Sequence, residues 1–172
     1  MIPNIKRILY ATDLTKNSAY AFRYAVASAQ KHDAQIHILH VIEKFPSQIE
    51  GRLEMYFDAL KLEKSWQEKR DEQIKRIHDR LKDFAKRELQ DNSETLKRVA
   101  SISVVEGDPA AEILQRADEL DCDLVIIGTH SRGLIGQAFL GSVAEKVLHR
   151  ITRPVFIIPV PKGDIDETFV DI

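Results

Sequence analysis

Apolar residues along this chain fall into two kinds of segment that take turns. Some are short unbroken runs, such as Ile8-Leu9-Tyr10-Ala11 and Leu124-Val125-Ile126-Ile127. In others, apolar positions recur every third or fourth residue among charged ones, as in Ala21, Phe22, Ala25, Val26 and Ala29. Unbroken runs of this length bounded by turn residues read as strands buried on both faces, and the spaced ones as amphipathic helices. The pattern predicts strands over 6–14, 35–42, 99–105, 124–127 and 155–160. It predicts helices after Thr15 or Asn17, over 72–90, from Pro109 and from Gly141-Ser142 through Ile151.

The helix ends carry their own signals. Thr15 or Asn17 can cap the first helix, Asp108-Pro109 supplies a cap and a first-turn proline, and Ser142 is a cap candidate for the last. Arg153-Pro154 stops that last helix. In 72–90 the stripe is Ile74, Ile77, Leu81, Phe84, Ala85 and Leu89, with the charges elsewhere. The segment 43–71 is broken by Pro46 and Gly51 but is too apolar for a solvated linker, so a short packed helix is expected there.

Strands alternating with helices imply an α/β fold, with a parallel sheet covered by helices on both faces. With five strands the expected order is 3-2-1-4-5, placing the switch in winding direction between the first and fourth strands. Ligands bind outside the carboxyl ends of the strands at such a switch. Asp13 and Gly128 should therefore face one crevice. One domain over 1–161 is expected, with an insertion around 43–71 and an acidic tail over 162–172.

Composition narrows the class. Of 172 residues, 44% are hydrophobic and 30% charged, an ordinary balance for a soluble domain. A net charge of −2 gives no electrostatic footprint for nucleic acid. No apolar run approaches the roughly 20 residues that cross a bilayer. The opening Met-Ile-Pro-Asn-Ile-Lys-Arg lacks the apolar stretch of a signal peptide, and a cytoplasmic location is expected. The single cysteine, Cys122, excludes an intrachain disulfide and reads as a small buried hydrophobe. Of the six histidines, His37 and His40 fall on opposite faces of one strand, which argues against a shared metal ion.

The stretch from Asp123 to Ser142 joins a strand end, a glycine-dotted loop and a helix start, the arrangement that binds phosphate in open α/β folds. Several signatures fail there. Gly128 and Gly133 have P-loop spacing, but Leu134-Ile135 stand where lysine and a hydroxyl are required. No dinucleotide glycine fingerprint follows the first strand. Ser131 lacks the glycine two positions before it that a nucleophile elbow needs. A phospho-receiver would show paired acids where Asp13 stands alone.

Gly128, two residues, Ser131, nine residues and then Gly141-Ser142 resembles the nucleotide signature of the universal stress protein family, with serine replacing its middle glycine. Lys-Arg-Ile-Leu-Tyr-Ala-Thr-Asp at the start agrees, as do His40-Val41-Ile42, Gly107-Asp-Pro-Ala-Ala-Glu-Ile and Arg-Pro-Val-Phe-Ile-Ile-Pro. The resemblance implies ATP, or AMP or ADP, with Mg²⁺ as a possible companion. Ala11, Thr12, Asp13 and Val41 would then meet the adenine and ribose end. Gly128, Thr129, His130, Ser131, Arg132, Gly133, Gly141, Ser142 and Val143 would hold the phosphates.

The resemblance also covers members that bind no nucleotide and act as dimeric interaction scaffolds, and both readings stand at this point. Ser131 is strained if its position needs a positive φ, and serves if only its N–H is needed. Each residue has a plainer role as well: Asp13 or Ser142 as helix caps, Arg132 as a solvated cation. No general base or set of magnesium ligands stands out beside the phosphates, so binding with at most slow hydrolysis is expected. Val155, Phe156, Ile157 and Ile158 are too apolar for a bare sheet edge, so a homodimer through that edge is expected, alongside a protein partner of unknown identity.

Overall fold

In a computed structural model, which describes residues 4–43, 59–89, 93–129 and 140–159, the apolar runs form one parallel sheet. Its strands are β1 (Arg7–Thr12), β2 (Gln35–Glu43), β3 (Val99–Gly107), β4 (Leu124–Gly128) and β5 (Val155–Ile158). The order is β3-β2-β1-β4-β5, all pairs parallel, as the alternation of strand and helix requires. β1 lies at the centre, with Tyr10 level with Ile38 of β2 and Ile126 of β4. The expected fold class and strand order are therefore those observed.

The helices are α1 (Lys16–His32), α2 (Ala59–Glu88), the one-turn α3 (Ser93–Leu96), α4 (Pro109–Glu119) and α5 (Ser142–Leu148). Side chains alternate across the sheet, so each strand feeds two cores. On one face Ile8, Tyr10, Ile36, Ile38, Leu124 and Ile126 pack against α1 and the C-terminal half of α2. There the Phe22 ring lies 5.2 Å from both Tyr10 and Phe84, centroid to centroid. On the other face Leu9, Ala11, Leu39, Val125 and Ile127 pack against Ile113 and Ala117 of α4 and Ala144 and Val147 of α5.

Two expectations need correction. The helix expected over 72–90 begins at Ala59, 30 residues in all, so much of the proposed insertion is its first half. Residues 67–73 are exposed, and from Ile77 onward the apolar stripe packs on the sheet. Glu, Lys, Gln and Arg have strong intrinsic helix propensity, which favours the helix through the exposed 67–73 turns. Arg70 reaches Glu106 at the carboxyl end of β3 (Nε to Oε1, 3.1 Å), and Glu88 pairs with Arg23 (2.9 Å). The second correction concerns Ser142. Gly141 is the N-cap of α5 and Ser142 its first helical residue, and among the described residues no side chain caps that end. That helix also stops at Leu148 rather than Ile151. The rest of the insertion, 44–58, and the tail over 162–172 lie outside the described residues.

At the amino ends of the strands, Asp123 clips the sheet together. Its Oδ2 accepts from Lys6 N at 2.8 Å and from Arg7 N at 2.9 Å, joining β1 to the entry of β4. Arg7 also bonds Asp121, and Arg153 reaches Asp118, Asp121 and the Cys122 carbonyl. Cys122 is buried, and its thiol is pushed up to about 11 chiefly by that burial.

Candidate functional site

The carboxyl ends of β1, β2 and β4 meet where the winding direction reverses. Thr12 is level with His40, so Asp13 and Val41 follow side by side off the ends of β1 and β2. Tyr10 is level with Ile126, so Gly128 ends β4 beside Thr12. The chain returns to this point through two backbone bonds. Thr129 N donates to Ile158 O at 3.1 Å, and Gly141 N donates to Thr129 O at 2.6 Å. α5 therefore starts at the end of β4, with Gly141, Ser142 and Val143 over the same crevice.

Three helices begin along this rim, and their caps differ. Thr15 Oγ1 accepts from Ser18 N at the head of α1, and Asp108 Oδ1 accepts from Ala111 N at the head of α4. α5 starts on a glycine and has no side-chain acceptor. Among the described residues no side chain takes up its first N–H groups, which lie at the positive end of its dipole. Gly128 is also informative. A Cβ built there would meet, among the described residues, nothing nearer than the Asn17 carbonyl oxygen at 3.9 Å. The described residues leave room for a side chain at this position.

Asp13 is exposed and half engaged. Its Oδ1 accepts from Thr15 N at 3.1 Å and from Thr15 Oγ1 at 2.6 Å, while Oδ2 makes no hydrogen bond among the described residues. The plainer role, organising the start of α1, is thus real and leaves one carboxylate oxygen for a ligand. Thr12 behaves differently from its neighbours. Its hydroxyl turns to the α1 face and is buried against Ser18, so it does not line the crevice. Ala11 and Val41 lie on the α4 face, Ala11 buried and Val41 partly so. His130, Ser131, Arg132 and Gly133 lie outside the described residues.

Two further side chains of this region carry no sequence signal for the role they play. His40 Nδ1 bonds the Thr12 carbonyl oxygen at 2.9 Å. Burial holds its pKa below the usual histidine value, against the opposing pull of that bond and of the Asp13 charge. Leu14, next to Asp13, has φ of 67°, a left-handed conformation uncommon for a bulky residue. Among the described residues no cluster of His, Cys, Asp and Glu could hold a metal ion, and no helix is long and apolar enough to cross a membrane.

Comparison with known proteins places these features in a wider set. A sequence model described as the universal stress protein family matches residues 4–159. A universal stress protein of Methanocaldococcus jannaschii is 27% identical over 166 residues, 92% of this chain and 85% of the relative. The solved universal stress protein UspA of Lactobacillus plantarum superposes with a TM-score of 0.68 at 20% identity, covering 91% of this chain and 99% of its own. A universal stress protein solved in complex with cAMP superposes with a TM-score of 0.53 at 21% identity, covering 91% and 98%.

Proposed function

The chain belongs to the universal stress protein family, and from that premise we propose that it binds an adenine nucleotide, ATP in the first place, as a regulatory ligand. The observation that carries the reading is the convergence at one crevice, among the described residues, of an open Asp13 oxygen, an uncapped α5 start and a Gly128 with room beside it. An exposed carboxylate oxygen suits ribose hydroxyls or an adenine amine, which are donors. Free backbone N–H groups at a helix start suit phosphate. A relative of the same fold in complex with cAMP supports the ligand class.

In this reading Asp13 and Val41 meet the adenosine end. Gly128, Thr129, Gly141, Ser142 and Val143 meet the phosphates, together with the 130–133 stretch. The bound nucleotide changes the surface around the β4–α5 connection that a cytoplasmic partner reads, with hydrolysis slow or absent. Calorimetric titration of the purified protein with ATP, AMP and cAMP, with and without Mg²⁺, tests this. Saturable binding that weakens at least tenfold in Asp13→Ala is expected; no heat with any of the three refutes it.

A second feature favours a homodimer. β5 ends the sheet, and Phe156 on it is 44% exposed, on an edge without proline or charge within the strand. Pairing of two such edges across a two-fold axis would cover it. Sedimentation of the wild type as a dimer and of Phe156→Glu as a monomer is expected. A monomeric wild type at micromolar concentration removes this part of the proposal.

A further inference from the structure

The left-handed Leu14 needs an explanation that its own side chain does not supply. Among the described residues the other non-glycine positions with positive φ, Asp33 and Asp121, sit at the ends of α1 and α4, where a short polar residue commonly turns the chain. Leu14 instead joins the end of β1 to the start of α1. A branched side chain there is held against its preference.

What holds it is a directed run of hydrogen bonds beneath the crevice. Leu14 N donates to Thr12 Oγ1 at 3.1 Å, and Thr12 Oγ1 lies 2.8 Å from Ser18 Oγ. Ser18 Oγ in turn donates to the Thr15 carbonyl oxygen at 2.8 Å. Each hydroxyl has one proton. Ser18 has given its proton to Thr15, so Thr12 must donate to Ser18 while accepting from Leu14. Thr12 and Ser18 are only 7% and 4% exposed, so no water substitutes for either partner at low cost. Buried Tyr10 fixes the far side by donating its hydroxyl to Ser18 O. The turn these bonds enforce ends on Thr15, whose N–H and hydroxyl both hold Asp13 Oδ1.

We propose that Thr12 and Ser18 are positioning residues for the ligand: their buried hydroxyl pair locks Leu14 left-handed and so delivers Asp13 with Oδ2 alone open to the nucleotide. The proposal rests on reading the crevice as an adenine-nucleotide site. It assigns a binding consequence to two side chains that touch no ligand, and it gives the strain at Leu14 a use.

The test compares Ser18→Ala, Thr12→Val, Leu14→Gly and Asp13→Ala, singly and combined, by ATP titration and by amide hydrogen exchange without nucleotide. Ser18→Ala is expected to weaken ATP binding about tenfold, in line with loss of one oriented hydrogen bond. It should have no further effect in the Asp13→Ala background. Glycine adopts positive φ freely, so Leu14→Gly should restore most of the affinity lost in Ser18→Ala. A residue that merely stabilised the fold would show neither the coupling to Asp13 nor the rescue. Without nucleotide, the Leu14 and Thr15 amides should exchange about tenfold faster in Ser18→Ala, with the rest of β1 unchanged. Thr12→Val keeps shape while removing the acceptor and should reproduce both effects if Ser18→Ala does not fold. Equal affinity loss in every background, or unchanged exchange at Leu14 and Thr15, overturns the proposal. A wild type that binds no nucleotide overturns the site reading and the ligand role together, while exchange still reports separately whether the pair holds the turn.

Discussion

Replacing Asp123 by alanine removes the acceptor that holds the amino end of β1 to the entry of β4, and the structure sets the size of the effect. Two backbone N–H groups converge on one carboxylate oxygen, Arg7 N in a part-buried position and Lys6 N in an exposed one. A hydrogen bond to a charged group contributes about 1.5–3 kcal/mol. The part-buried member should be worth about 2 kcal/mol, and the exposed one, where water competes, under about 1 kcal/mol. Asp123→Ala should therefore cost about 2–3 kcal/mol, which for a chain of this size lowers Tm by about 4–12 °C. Asp123→Asn keeps an oxygen at the site and should lose roughly half as much.

The pH dependence supplies a second arm. Burial raises the Asp123 carboxyl, but the two N–H groups and the positive charges of Arg7 and Arg153 outweigh it, leaving the pKa below the ordinary 3.8. The unfolded chain then binds the proton first as pH falls. The stabilisation is fully present above the ordinary carboxylate pKa and disappears as pH drops through the lowered native one. The gap between wild type and Asp123→Asn should narrow from pH 7 to pH 3 in thermal or urea unfolding. A Tm for Asp123→Ala within a degree of wild type at pH 7 would show that the clip contributes nothing.

Gly128→Ala should leave Tm unchanged or raise it by about 1–4 °C, because the added methyl has room and the unfolded chain loses freedom. ATP affinity should fall about tenfold or more in the same variant by calorimetry; unchanged affinity would show that the ligand does not use that space. Phe22→Ala should cost about 3–5 kcal/mol in urea unfolding, since the ring is fully buried between Tyr10 and Phe84. A loss under about 1 kcal/mol would mean the core refills. His37 is held below the usual histidine pKa, first by burial and then by the Arg7 charge. Its unfolded form therefore takes up a proton first, and stability should decline as pH falls below about 6.5. His37→Gln should show a shallower decline between pH 7.5 and 5 than wild type; identical slopes would count against the assignment.

The sheet order was legible because apolar runs and amphipathic stretches alternate without ambiguity from β1 to β5. Asp108 was readable as a cap because proline follows it. Between Thr15 and Asn17 the sequence offered two caps, and the choice fell to Thr15, whose hydroxyl also bonds Asp13. Ser142 misled for a physical reason. Serine is a good cap in general, but Gly141 N is drawn onto Thr129 O, which puts the extended residue one position earlier. Residues 67–73 of α2 carry no apolar position, so periodicity does not join the stripe at Ile74 to the turns before it, and helix-favouring Gln, Glu, Lys and Arg bridge the gap. The Leu14 turn and the Asp123 clip depend on contacts between residues far apart or on a backbone angle, and neither leaves a mark in residue type.

The two bonds that tie Thr129 to Ile158 and to Gly141 make the chain leave and re-enter the scaffold at a single point. Whatever sequence lies between 129 and 141 starts and finishes at anchors the sheet already supplies. Closing a longer connection there costs little, about 0.6 kcal/mol for each doubling of length. The length of chain between the two anchors is therefore a cheap variable for this scaffold.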